Sequence, residues 1–80
     1  MDRTEIYEKV AQIIAHILKI NKESIHEQSN LESLGADSLN RVEFVMELEE
    51  TFNVEINDED AEQLSTVGQA VDYIQKLVNK

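Results

Sequence analysis

The 80-residue sequence contains no cysteine and no proline, and only two glycines. Without cysteine the chain can form neither a disulfide nor a thiolate-ligated metal site. Without proline, turns have to be located from polar clusters and helix-capping residues. No apolar run approaches the roughly 20 residues of a membrane-spanning helix, and the first residues lack the basic-then-apolar order of a signal peptide. The sequence therefore predicts a soluble, cytoplasmic protein.

Basic residues are scarce, since seven of them stand against 17 acidic ones and leave a formal net charge of −10. Such a charge repels nucleic acids and anionic membranes, and it favours partners with basic patches. Ten of the acids and a single base, Arg41, fall between Asp37 and Glu62. The negative field is therefore concentrated in this part of the chain.

Apolar residues recur at helical spacing, and none of the sequence alternates as a strand would. With 41% apolar residues, the chain can build one small core and one domain over residues 1–80. The predicted fold is all-α: a four-helix bundle with three longer helices, one short third helix and a long first loop. The predicted helices are residues 3–19, residue 37 or 38 to about 51, residue 57 or 58 to 62, and residues 67–78.

Residues 20–37, between the first two helices, are mostly polar. Ile25, Leu31 and Leu34 are isolated apolar residues within them and predict a loop held down at three points. A loop of this length is uncommon in so small a domain and is usually functional.

The second helix carries two rows of apolar residues. Phe44, Val45, Leu48 and Phe52 have the spacing of a core stripe. A second row, Leu39, Val42 and Met46, lies beside Glu43, Glu49 and Glu50. Negative charge can steer a partner towards this side of the helix, and the adjacent apolar area can hold it. This combination predicts a transient docking face.

Ser38 stands where the long loop meets the second helix. Either Ser38 or its neighbour Asp37 can cap that helix, because both accept hydrogen bonds from free N–H groups of a first turn. Asp37 is a poor general base, because a helix N-terminus stabilises its charged form. No Ser/His/Asp arrangement accompanies Ser38, so the sequence indicates a serine that another protein modifies and not a nucleophile.

Residues 34–39 read L-G-A-D-S-L and residues 42–50 read V-E-F-V-M-E-L-E-E. Together they closely resemble the phosphopantetheine-attachment region of acyl carrier proteins, and the resemblance continues through residues 55–62 and 66–74. It implies that Ser38 receives 4′-phosphopantetheine from coenzyme A, through a phosphodiester bond made by a separate transferase. The arm would supply the thiol that this cysteine-free chain lacks, and the chain itself would catalyse no reaction.

The same resemblance implies roles for further residues. Asp37 would help to present the serine to the transferase and its metal ion. The docking face would meet basic patches on enzymes of fatty-acid synthesis, and it comprises Asp37, Glu43, Glu49, Glu50 and Asp58 with Leu39, Val42 and Met46. The interior would open to hold the acyl chain between Phe44, Val45, Leu48, Phe52, Leu64, Ala70, Tyr73 and Ile74.

Two residues depart from the commonest pattern of this family. Asn40 stands where aspartate is usual, and Arg41 places a positive charge in the first turn of the second helix. Both are expected to weaken the negative patch locally, while modification of Ser38 should survive.

Other functions remain open on the sequence alone. Specialised carriers for polyketide, lipid A, cell-wall or amino-acyl transfer would share the fold and the serine. An acidic interaction module without a prosthetic group would use the same face. Asp58, Glu59 and Asp60 could hold calcium or magnesium loosely, but no EF-hand order is present and no metal site is predicted. A monomer is expected, because the outer apolar row is too small for an obligate interface.

Overall fold

The structure is a computed structural model that describes residues 2–79. Within them the secondary structure is helical, apart from an isolated antiparallel bridge between Asn30 and Thr66. The predicted all-α fold with a short third helix is confirmed. The elements are α1 (Arg3–Leu18), a 3₁₀ helix (Lys22–Ser24), α2 (Ser38–Phe52), α3 (Asp58–Glu62) and α4 (Val67–Val78).

Side-chain caps fix where the helices begin. The carboxylate of Asp2 accepts a hydrogen bond from the Glu5 amide at 2.9 Å, and Asn57 and Thr66 cap α3 and α4 in the same way. Each cap satisfies an amide that has no partner inside the helix. The positions predicted for these starts from polar residues are therefore confirmed.

The ends of α1 and α2 lie one residue from the predicted positions. Lys19 and Asn53 follow these helices in the left-handed conformation, with φ of 57° and 53°. A residue in this conformation ends the helix, and its amide bonds back to a carbonyl of the last turn. Asparagine tolerates the left-handed region better than most residues, whereas lysine at position 19 is less usual there.

The core forms where α1 lies against both α2 and α4. Ile6 and Val10 of α1, Leu48 of α2 and Ile74 of α4 have no exposed surface. All side chains buried in residues 2–79 are apolar, so no polar side chain in the core needs a partner. None of the helices in this range is long and apolar enough to cross a membrane.

The long loop after α1 is anchored largely as predicted. Ile25 and Leu31 are buried in the core and Leu34 is half-buried against it. The hydroxyl of Tyr7 in α1 donates to the carbonyl of Ile25 at 2.8 Å. The 3₁₀ helix within the loop was not predicted, because a single turn carries no apolar periodicity.

The loop also touches the start of α4. The amide of Gly68 donates to the carbonyl of Glu27 at 2.8 Å, and that of Val67 to the carbonyl of Ser29 at 3.1 Å. A Cβ atom at position 68 would lie 3.0 Å from the Glu27 carbonyl oxygen. Glycine at this position therefore allows the two backbones to approach closely.

The short helix α3 is held to α4 by Tyr73. Its hydroxyl donates to Oδ2 of Asp60 at 2.7 Å. This hydrogen bond, with burial and the charge of Asp60, raises the pKa of Tyr73 to about 12. The protonated hydroxyl is thus favoured in the folded state.

Replacing Tyr73 by phenylalanine removes this bond and leaves the ring in place. We expect Tyr73→Phe to lower the free energy of unfolding at neutral pH by about 1 kcal/mol. Because the folded pKa is raised, this contribution is complete below the ordinary tyrosine pKa of 10.0 and is lost as the pH rises through about 12. Urea denaturation of both proteins across this pH range measures the difference.

An absorbance titration of tyrosinate gives an independent check on Tyr73. The wild type should show a tyrosine that ionises at about 12, and this step should be missing in Tyr73→Phe. Equal stability of the two proteins at neutral pH would contradict a stabilising role for the bond to Asp60.

Candidate functional site

Asp37 and Ser38 have different roles at the start of α2. Oδ1 of Asp37 accepts a hydrogen bond from the Asn40 amide at 2.9 Å, and Oδ1 of Asn40 accepts one from the Asp37 amide at 3.3 Å. This reciprocal pair is a capping box. Asp37 is therefore the cap, and Ser38 is the exposed first residue of the helix.

A tight turn brings the chain to this cap. The amides of Leu34, Gly35 and Ala36 donate to carbonyls of residues 30–32 at 3.0 Å. Gly35 has φ of 101°, in a region that favours glycine. Buried Leu31 fixes the turn to the core, so the position of Asp37 and Ser38 is set from both sides.

The surroundings of Ser38 fit a phosphodiester. The capping box uses the amides of Asp37 and Asn40, and those of Ser38 and Leu39 take no part in it. Amides of a first helical turn point outward and carry partial positive charge, which favours an anion at this end. An exposed hydroxyl beside them can receive a charged group without any rearrangement of the helix.

The outer row of α2 is exposed as expected. Leu39, Val42 and Met46 are 66%, 56% and 56% exposed, and they are the large apolar side chains that residues 2–79 leave in solvent. Glu43 and Glu50 on α2 are also exposed. The structure thus places apolar and acidic groups of the predicted docking face on one helix.

Two acids of the predicted docking face differ in their surroundings. Asp58 is the exposed first residue of α3. Glu49 is half-buried, and its Oε2 accepts a hydrogen bond from the Ile56 amide at 2.9 Å. Glu49 therefore braces the connection between α2 and α3, a contact that sequence reasoning missed.

Arg41 is also engaged inside the fold. Its Nη2 donates to the carbonyls of Ala61, Glu62 and Leu64 at 3.4, 3.3 and 2.9 Å. These carbonyls lie at the end of α3 and in the turn before α4, and that of Ala61 also accepts a hydrogen bond from the Leu64 amide at 3.3 Å. The guanidinium expected to weaken the negative patch is thus bound to the α3–α4 junction.

The residues predicted to hold an acyl chain lie mostly within the packed core. Phe44, Leu48 and Phe52 of α2 are buried, as are Leu64, Ala70 and Ile74, whereas Val45 and Tyr73 are half-buried. Their role in holding an acyl chain stays a prediction. A cavity of about 10 Å³ lies between α1, the long loop and α2, lined by Ile14, Ile17, Leu18, Leu31, Ala36, Asn40, Arg41 and Phe44. Only Phe44 belongs to both sets.

Comparison with known proteins shows which family the chain resembles. The family model of the phosphopantetheine attachment site matches residues 8–74. The acyl carrier protein of Chlorobium phaeobacteroides is 52% identical over 77 residues, which cover 95% of this chain and 99% of that protein. The acyl carrier protein of Guillardia theta is 48% identical over 79 residues, or 98% of each chain.

A solved structure agrees with these relatives. The acyl carrier protein from Enterococcus faecalis superposes with a TM-score of 0.81 at 47% identity, covering 96% of this chain and 99% of that one. The fold and the family match define a helical carrier domain. The chain belongs to the phosphopantetheine-attachment family, among its acyl carrier proteins. Its function is acyl carriage, and its prosthetic group is covalent 4′-phosphopantetheine.

The capping role of Asp37 can be separated from its charge. We expect Asp37→Ala to lower the free energy of unfolding by about 1 kcal/mol, because the Asn40 amide loses its acceptor. Asp37→Asn should lose much less, since asparagine caps a helix nearly as well. Urea denaturation of the three proteins tests this, and equal losses in both variants would show that charge, not capping, is what matters.

Proposed function

We propose that Ser38 is the attachment point of the 4′-phosphopantetheine arm, and that the chain carries intermediates of fatty-acid biosynthesis as thioesters on it. The observation that carries this proposal is the exposed Ser38 at the first position of α2, relieved of capping by Asp37. Because its hydroxyl supports no other part of the helix start, it can be esterified without loss of the fold.

A separate transferase would carry out the modification. The Ser38 oxygen would form a bond to the pantetheine-bearing phosphorus of coenzyme A, and the phosphoanhydride bond would break, releasing adenosine 3′,5′-bisphosphate. The hydroxyl proton would pass to a base of the transferase. Asp37 would help to present the serine to that enzyme and its metal ion. The chain would catalyse no step, in keeping with relatives that are named as carriers.

The docking face would lie on α2 and the start of α3. Leu39, Val42 and Met46 supply exposed apolar area, and Glu43, Glu50 and Asp58 supply exposed negative charge around it. Fatty-acid synthesis enzymes and the transferase would meet this face with basic patches, in the cytoplasm. Contacts of this kind raise the rate of association more than the affinity, which suits a carrier that must leave each enzyme.

Intact mass spectrometry tests the attachment point. Incubation of the apo protein with coenzyme A, magnesium and a phosphopantetheinyl transferase should add one phosphopantetheinyl group to the wild type and none to Ser38→Ala. The variant should keep its stability, because Asp37 and not Ser38 caps α2. Modification that persists in folded Ser38→Ala would overturn the assignment.

A charge reversal tests the docking face. Glu43→Lys should raise the Michaelis constant of the transferase for the apo protein by several-fold, and the constant should depend less on salt than in the wild type. Glu23→Lys is the matched control, because it changes the net charge equally at an exposed site in the 3₁₀ helix, away from α2. Equal effects of the two reversals would mean that net charge acts, and not this face.

A further inference from the structure

Arg41 connects two parts of the molecule that are distant in sequence. A single guanidinium nitrogen lies within hydrogen-bond distance of three carbonyls at the α3–α4 junction, the shortest contact being 2.9 Å to Leu64. Carboxylates are abundant in this half of the chain, yet residues 2–79 give Arg41 no ion pair. The side chain therefore acts as a bracket between the first turn of α2 and the backbone of the junction.

The bracket lies beside the small cavity. Arg41 lines that cavity together with Asn40, while the remaining lining residues are apolar and come from α1, the long loop and Phe44. Asn40 and Arg41 follow Ser38 by two and three residues. Ala36, which also lines the cavity, precedes Ser38 by two residues, so this part of the lining is close to Ser38 along the chain.

The cavity is too small for an acyl chain as it stands. Its volume of about 10 Å³ is near the minimum that holds one water molecule. An acyl chain could enter only if α2 shifted away from its neighbours or if the lining side chains turned aside. The three contacts of Arg41 tie α2 to the junction, and the amide of Leu31 ties the long loop to the same junction by donating to the Ser65 carbonyl at 2.9 Å. A shift of α2 away from the loop is therefore opposed, and the position of Arg41 in the lining opposes direct entry.

We propose that Arg41 is the gate that limits entry of an acyl chain into the interior, so that it sets how strongly long chains are sheltered relative to short ones. This inference rests on the proposed attachment at Ser38 and on the bracket seen at the α3–α4 junction. An acetyl group is too short to depend on the gate, and a decanoyl group depends on it fully. Arg41 is a positioning residue, because it affects the thioester only by limiting where the attached acyl chain can go.

The rate at which the thioester is cleaved measures how far Arg41 limits entry of the acyl chain. Wild type, Arg41→Ala and Arg41→Lys are loaded with acetyl or decanoyl phosphopantetheine from the matching acyl-coenzyme A and a transferase, and the rate of cleavage by hydroxylamine is followed. In Arg41→Ala the ratio of acetyl to decanoyl cleavage rates should rise by up to about tenfold, as expected when charge-assisted hydrogen bonds no longer oppose entry. Arg41→Lys should give an intermediate ratio, because its ammonium group can still donate to a carbonyl.

Arg3→Ala is the control for general loosening of the fold. Arg3 also joins distant elements, through ion pairs with Glu27 and Asp72, but it does not line the cavity. The ratio of acetyl to decanoyl cleavage rates in Arg3→Ala should equal that of the wild type. An unchanged ratio in Arg41→Ala, or an equal rise in Arg3→Ala, would overturn the gate.

The experiment also distinguishes the gate from the function on which it rests. Intact mass, taken before hydroxylamine is added, reports loading at Ser38 separately from sheltering. Absence of loading in folded wild type would overturn the attachment and the gate together, whereas full loading with an unchanged ratio overturns the gate alone. If Arg41→Ala does not fold, the ratio in Arg41→Lys decides, and a ratio equal to that of the wild type rejects the proposal.

Discussion

Burial of the apolar stripe of α1 between α2 and α4 is the interaction on which the rest of the structure depends. An 80-residue chain has room for one small core, and α1 is the element that both other long helices contact. Ile6 and Val10 have no exposed surface because they are covered from two sides. With the core placed against α1, the opposite side of α2 stays in solvent, and the apolar row that begins at Leu39 remains exposed there.

Three of the seven basic residues connect separate elements of the fold, and within residues 2–79 none of the three pairs with an acid of that outer side. Arg3 pairs with Glu27 and Asp72, and Lys22 pairs with Glu8, so these contacts join α1 to the long loop and to α4. Arg41, the one base among the acids of α2 and α3, is bound to backbone carbonyls. Arg3 and Lys22 therefore neutralise carboxylates that lie outside α2 and α3. Arg41 is bound to neutral carbonyls and keeps its positive charge, which offsets part of the negative field of the acids on α2 and α3.

Sequence reasoning succeeded where the signal was local. Helical periodicity and capping residues predicted every α-helix within one residue or so, because a cap such as Thr66 acts on amides only two or three residues away. The contacts of Arg41 and Glu49 could not be predicted, since they join backbone groups brought together only by packing. The small cavity was missed for the same reason, because five of its eight lining residues come from α1 and the long loop. Periodicity marks a residue as inward-facing, but it does not show which inward side chains leave space between them.

Asp37 caps α2 and Ser38 does not, which explains how a stable helix start can also be a reaction site. A serine that capped α2 would have its hydroxyl committed to a backbone amide, and modification would then cost the helix about 1 kcal/mol. With Asp37 as the cap and Asn40 completing the box, the helix start is capped before any modification occurs. The adjacent hydroxyl can then accept a phosphate whose charge the helix N-terminus favours. The group that stabilises α2 and the group that is offered to other enzymes thus belong to two adjacent residues.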